Sequence, residues 1–383
     1  MKKKFYYFFI IVLVIFLVGC WDYEEINDTT MVEGFFIDKE NDTYKLYIEA
    51  ITSDPDSKKI SSNIVETKSN TVFSGVRKFV EKYGKVAYWS HSKVMMVDSS
   101  YAKEGIIELL DYTVRDSEFR SDIEIVISDD IDGNGFLNLK EINKTTFSLI
   151  DDIIHNQNKT GTFISTNVWD FVDLITQKGI EPIAPLLHIK EADSSDNNSE
   201  LMINGVAVFK GFKMVGKLSG EETIYLLFIK DEIKDYPLSI PNFTQSTDNE
   251  GFPVTLEILK SKTKVIPSKK NGDLRININI ECDVEIAELG TEEDYIKDRE
   301  VLEKYLSKYI EENIKNLIDK LQNEYKSDIF GFGLSFKKNK PKIWKTIDDS
   351  WDYEFTELEV NVKTDVNITK SALIFKPLKN SSY

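Results

Sequence analysis

Catalytic vocabulary is scarce in this sequence. Its 383 residues include two cysteines and three histidines, and His91, His155 and His188 lie far apart along the chain. Ser90-His91 invites a triad reading, but no G-x-S-x-G elbow is present, and neither are HExxH, a P-loop or CxxC. Nucleophilic, zinc-dependent and phosphate-cradling chemistry find no motif here. A second long apolar run is also missing. Past residue 20 no stretch of about 18 apolar residues exists, which excludes a further membrane-spanning helix. Positive charge is outnumbered, with 48 Lys and Arg against 65 Asp and Glu. Nucleic acid and anionic lipid repel such a net charge, so no nucleic-acid partner is expected.

What is present begins at the first residues. Lys2, Lys3 and Lys4 precede fourteen apolar residues, Phe5 to Val18, the layout of a secretory signal peptide and too short for an ordinary span. Leu17-Val18-Gly19-Cys20 resembles a bacterial lipobox, in which the thiol receives a diacylglyceryl group and the chain is cut just before it. Cys20 is the expected lipid attachment residue, and 1–19 the signal peptide. Without them 45 Lys and Arg face 65 acids, a net of −20. Charge then cannot retain the protein on a membrane, whereas two acyl chains can, at about 0.8 kcal/mol per buried methylene. Cys282 is the one remaining thiol, so no intramolecular disulfide is expected. It sits in 274–286, where every second residue is apolar, and reads as a small buried hydrophobe.

Periodicity predicts a hairpin from Val32–Ile37 and Tyr44–Ile51, then a polar, loop-like 52–70. A helix over 71–85, a strand over 86–97, a helix over 101–112 and a strand at 123–127 follow. Helices over 136–155 and 168–177 come next. The acidic, polar 191–200 marks a boundary, giving an N-terminal α+β region over 20–195, with a split into two subdomains left open, and a C-terminal α+β domain over 196–383. In the latter a hairpin (201–209, 213–218) leads into a helix capped by Ser219 with Glu222 in capping-box spacing. A polar, proline-bearing 235–251, strands at 254–266 and 274–286, a long helix over 291–325 and a last strand at 358–368 complete the pattern. Strand pairs joined by short turns imply the α+β class, with antiparallel sheets and helices packed on them.

The residues then carry a resemblance. Gly19-Cys20-Trp21-Asp22 with Glu25-Ile26-Asn27-Asp28, Val32-Glu33-Gly34 with Ile37-Asp38, NGVAVFKGFKMVGKLSGEET (204–223) and KSDIFGFG (326–333), with Pro341, Trp344 and Trp351, stand in one order. Together they resemble the Ger(x)C spore-germination lipoproteins, the C subunits of nutrient germinant receptors. Tyr23 and Ser371-Ala372 depart from that pattern. The resemblance implies a lipid-anchored protein on the outer face of the spore inner membrane, assembled with two integral membrane subunits. It also implies three small α/β subdomains, no catalysis, and no cofactor beyond the diacylglycerol on Cys20. A small-molecule germinant is not expected to bind this chain alone.

Other chemistry competes less well. Asp130, Asp132, Asn134 and Glu141 fit the spacing of an EF-hand calcium loop. The preceding 123–127 reads as a strand where an EF-hand needs a helix, so an ordinary acidic turn is the preferred reading. Trp344 and Trp351 are expected to close a core. The alternatives are a solute-binding lipoprotein of a transporter, which would favour parallel βαβ units and a cleft, and a surface hydrolase. WDYE occurs at 21–24 and 351–354 without matching surroundings.

Overall fold

The computed structural model describes residues 28–53, 60–129, 131–137, 145–190, 200–243, 252–289 and 299–369. The first sheet holds β1 (Thr29–Glu40), β2 (Thr43–Ser53), β3 (Ile60–Ser69), β4 (Val86–Tyr88), β5 (Val94–Asp98), β6 (Glu124–Ser128), β7 (Ile183–Lys190), β8 (Glu200–Lys210) and β9 (Lys213–Leu218). Its order is β3-β2-β1-β5-β6-β7-β8-β9, with β4 beside β1. The second sheet is β10 (Tyr236–Phe243), β11 (Phe252–Lys270), β12 (Asp273–Leu289) and β13 (Glu359–Ile368), in that order.

Helices cover both faces of the first sheet. On one side lie α1 (Val72–Tyr83), α2 (Ser99–Glu104) and α3 (Ile107–Arg115). The other side carries α4 (Gly133–Leu137) and α5 (Thr146–His155), and α6 (Val168–Thr176) returns to the first. Consecutive residues divide between two cores: Phe35, Met95 and Ile125 face α1–α3, while Phe36, Met96 and Val126 face α4 and α5. Strands buried on both faces must be apolar at every position, as parallel central strands are.

Here the sheets depart from the expected antiparallel pairing. β1, β5, β6 and β7 run parallel to one another, and β13 runs parallel to β12, while β1–β2, β2–β3, β7–β8 and β8–β9 are antiparallel. The α+β class stands, with mixed sheets, because helical crossovers rather than hairpins join the central strands. Five local expectations also change. Residues 60–69, read as loop, form β3; an edge strand can be polar because one side meets water. The stretch 86–97 breaks at a 3-10 turn, Trp89–His91, and 101–112 breaks at Gly105, whose φ is +122°. Helix 136–155 divides into α4 and α5, with 138–144 outside the described residues. Residues 236–243 form β10, an edge strand that tolerates Pro237 and Pro241.

The second half adds α7 (Gly220–Lys230), α8 (Arg299–Lys320), which continues as a π turn through Tyr325, α9 (Phe332–Asn339), α10 (Pro341–Ile347) and α11 (Trp351–Thr356). Residues 291–298 of the expected long helix lie outside the described residues. Leu302, Leu306, Ile310, Ile314 and Leu317 of α8, which packs along β13, share one core with Ile276, Ile278, Ile280 and Cys282 of β12. Cys282 is buried, and burial pushes its thiol up to about 12. The polar 191–200 joins two strands of one sheet, since β7 pairs with β8 from Ile183↔Val208 to Lys190↔Glu200. Val206 and Val208 of β8 belong to the second-half core, and Ala207 and Phe209 to the first. That strand seams the two halves together.

Candidate functional site

Cys20 and the Trp21-Asp22 lead lie outside the described residues, as do Asp130 and Glu141 of the calcium-type loop. Of that loop, Asp132 accepts a hydrogen bond from Gly135 N at 2.7 Å, the local closure of the turn into α4. The element before it is strand β6. Among the described residues no three His, Cys, Asp or Glu are grouped to hold a metal. The remaining motif blocks, 32–38, 204–223 and 326–351, lie within the described residues.

Residues 204–223 span β8, β9 and the start of α7. Gly205 has φ +86°, and a Cβ there would sit 2.2 Å from the Leu218 carbonyl oxygen. Gly216 lets the ring of Tyr325 lie on the strand. Ser219 and Glu222 form the expected capping box, and Glu222 also accepts from Lys320 of α8 at 2.8 Å. The cap thereby ties the hairpin to the long helix.

The 326–333 block is a buried turn centred on Asp328. One carboxylate oxygen accepts from Gly331 N (3.0 Å) and Phe332 N (3.1 Å), the other from Gly333 N (2.9 Å) and Trp351 Nε1 (3.1 Å). Burial raises its pKa to about 6, and the four donors act against that rise. A Cβ on Gly333 would meet Gly179 Cα at 2.4 Å. Trp344 and Trp351 are both buried with ring centroids 5.5 Å apart. These residues close the core, as expected for the tryptophans.

Sequence reasoning missed a second polar centre. A bulge between Val32 and Gly34 of β1 turns Glu33 inward. Glu33 Oε1 lies 3.3 Å from His91 Nε2, and Oε2 lies 3.8 Å from Lys93 Nζ. Lys93 reaches Asp151 at 3.2 Å, and Asp151 reaches His155 Nδ1 at 3.2 Å. Glu124 stands beside this chain; burial first, then Asp151, Asp170 and Asp122, raise it to about 7, with His155 opposing. The hydrogen bond to Asp151 raises His155. Only the Glu-Gly pair of the first block hinted at this, because its members are scattered from residue 33 to 155. His188 belongs elsewhere, 3.5 Å from Asp129, which also pairs with Lys217 at 2.8 Å. The three histidines are thus not assembled with a nucleophile.

This fold is that of a spore germination protein. The chain matches the crystal structure of the GerBC protein with a TM-score of 0.54, over 88% of this chain and 97% of that one, at 20% identity. Residues 22–189 match the spore germination protein N-terminal domain family, and 204–372 match the spore germination B3/GerAC-like C-terminal family. The chain belongs to the Ger(x)C family of spore germination proteins. Relatives from Bacillus subtilis include spore germination protein KC, 22% identical over 96% of this chain and 95% of that one. Spore germination protein B3 is 24% identical over 90% and 91%. The two family matches leave 190–203 between them, a range that includes the polar 191–200.

Proposed function

We propose that the chain is the lipid-anchored C subunit of a nutrient germinant receptor, held on the outer face of the spore inner membrane by a diacylglycerol on Cys20. It works there through contacts with two integral membrane subunits, without catalysis of its own and without a resident cofactor. The observation that carries this reading is the pair of family matches that together cover 22–189 and 204–372 in order. The Gly19-Cys20-Trp21 lead just before them supports the anchor. Parallel central strands remove the strand-direction argument against a solute-binding lipoprotein, so the family match bears that distinction alone.

Anchor and partnership are tested separately. Changing Cys20 to Ala should release a folded protein from membranes after a high-salt wash, and retention of the variant would exclude the lipid. Calorimetric titration of residues 21–383 with amino acids and sugars should show no binding, while the lipidated chain co-purifies with its membrane partners. Micromolar binding of a nutrient to the isolated chain would favour the solute-binding reading instead.

A further inference from the structure

The excess of acid is not spread evenly. Residues 262–272 and 333–347 hold nine lysines and no acidic residue, in a chain with 65 acids. The first segment is the distal end of the β11–β12 hairpin; the second is α9 and α10. They are neighbours, since α9 packs on β11 and Ser335 Oγ donates to the Val265 carbonyl at 3.4 Å. All nine lysines are exposed, and none forms an ion pair with a described residue.

Cross-strand register shows where the charge is left uncompensated. Glu281 stands opposite Lys262, and Asp273 opposite Lys270. Lys264 instead faces Asn279, whose partner on β13 is Lys363, and the exposed Ile266 faces Asn277 and then Asn361. From Lys264 to Lys270 the strand covers about 20 Å. That exceeds the screening length of roughly 8–10 Å at physiological salt, so acids on the far side of the body do not cancel this field.

We infer that the hairpin tip and the α9–α10 turn form a basic face that rests on anionic lipid headgroups. The inference builds on the lipid-anchored reading, and corrects the expectation from net charge that the whole surface is repelled by such lipid. The side chains point to headgroups rather than to an acidic protein. Every cation is a lysine, a hydrated point charge without the arginine fork that suits bidentate protein contacts. Neither segment exposes an aromatic anchor of the kind that dominates protein interfaces, Trp344 being buried. Clustered lysines beside a membrane attachment attract phosphate-bearing lipid diffusely. Bound this way, the second sheet would stand with its hairpin toward the bilayer.

The test uses residues 21–383, which retain all three cores, built from residues 32–368, and lack Cys20, so the outcome does not depend on the anchor. Flotation with vesicles of phosphatidylglycerol or of phosphatidylcholine is compared at low and high salt. The bound fraction should be at least about tenfold larger on phosphatidylglycerol at low salt and collapse in high salt. The variant K269E/K270E/K338E/K342E should lose it, whereas K85E/K103E/K159E/K315E, with the same charge change at other exposed lysines, should keep most of it. Equal binding to both lipids, no binding to either, or equal loss in the two variants would overturn the proposal. So would lysine protection that arises only with the membrane subunits present.

Discussion

The indole N–H of Trp351 and the backbone N–H of Gly333 converge on the same oxygen of Asp328, at 3.1 and 2.9 Å. The short turn and a residue twenty-three positions beyond Asp328 are thereby fixed to one buried charge. Replacing Asp328 with Ala strands four donors and should cost about 3–5 kcal/mol of stability, measured by chemical denaturation. Asp328→Asn should cost less, since one oxygen remains to accept from Gly331 and Phe332 while its amide faces the other two donors.

Glu124 makes stability pH-dependent. Its folded carboxyl is raised to about 7 from an ordinary 4.5, so the native state holds the proton after the unfolded chain has released it. Stability therefore falls as pH rises from about 4.5 to 7, and the loss is complete above that window. His155, also raised, contributes stability that is lost as pH climbs through its folded value, in the same direction. Glu124→Gln should raise stability at pH 8 by about 1–2 kcal/mol and flatten thermal unfolding between pH 5 and 8.

Strand β13 is an edge whose backbone is covered by a helix. Ile368 N, Val366 N and Thr364 N donate to Glu303, Ser307 and Glu311 at 2.8, 3.1 and 2.7 Å. The acceptors recur every four residues along α8, matching alternate positions of the strand. The triple alanine variant should lose about 1 kcal/mol per bond. An opened edge also invites pairing with other chains, so light scattering should report self-association absent from the parent.

Calcium should not change the melting temperature, and native mass spectrometry should show no adduct that Asp130→Ala removes. A specific adduct would reinstate the loop that includes Asp132.

Much of the fold was legible because its signals are local. The alternation at 274–286, the cap at Ser219 and the stripe along α8 each need only neighbouring residues to be read. Strand direction was not legible: nothing in Val94–Asp98 says that its neighbours will be Phe35 on one side and Ile125 on the other. The polar edge strand β3 is held by its partner rather than by its own composition, and in β10 two prolines mask the alternation of Tyr236, Leu238 and Ile240. The Glu33 centre draws on four separated segments, and no spacing rule links them. The signature glycines could be quoted from resemblance, but their cause, a Tyr325 ring or a Gly179 backbone lying where a Cβ would go, exists only in three dimensions.

Strand β8 has a consequence for how the protein is made. When the ribosome has released only the first family segment, β7 presents an unpaired edge and the apolar side of Phe171 lacks Phe209, its ring partner at 4.9 Å. The first sheet is finished only when residues 200–218 arrive, and these in turn need α7 for their own cover. Synthesis of either family segment alone should therefore yield a sticky, protease-sensitive product, and the polar stretch between them is a poor place to divide the gene. The two segments should accordingly unfold in one cooperative transition rather than two.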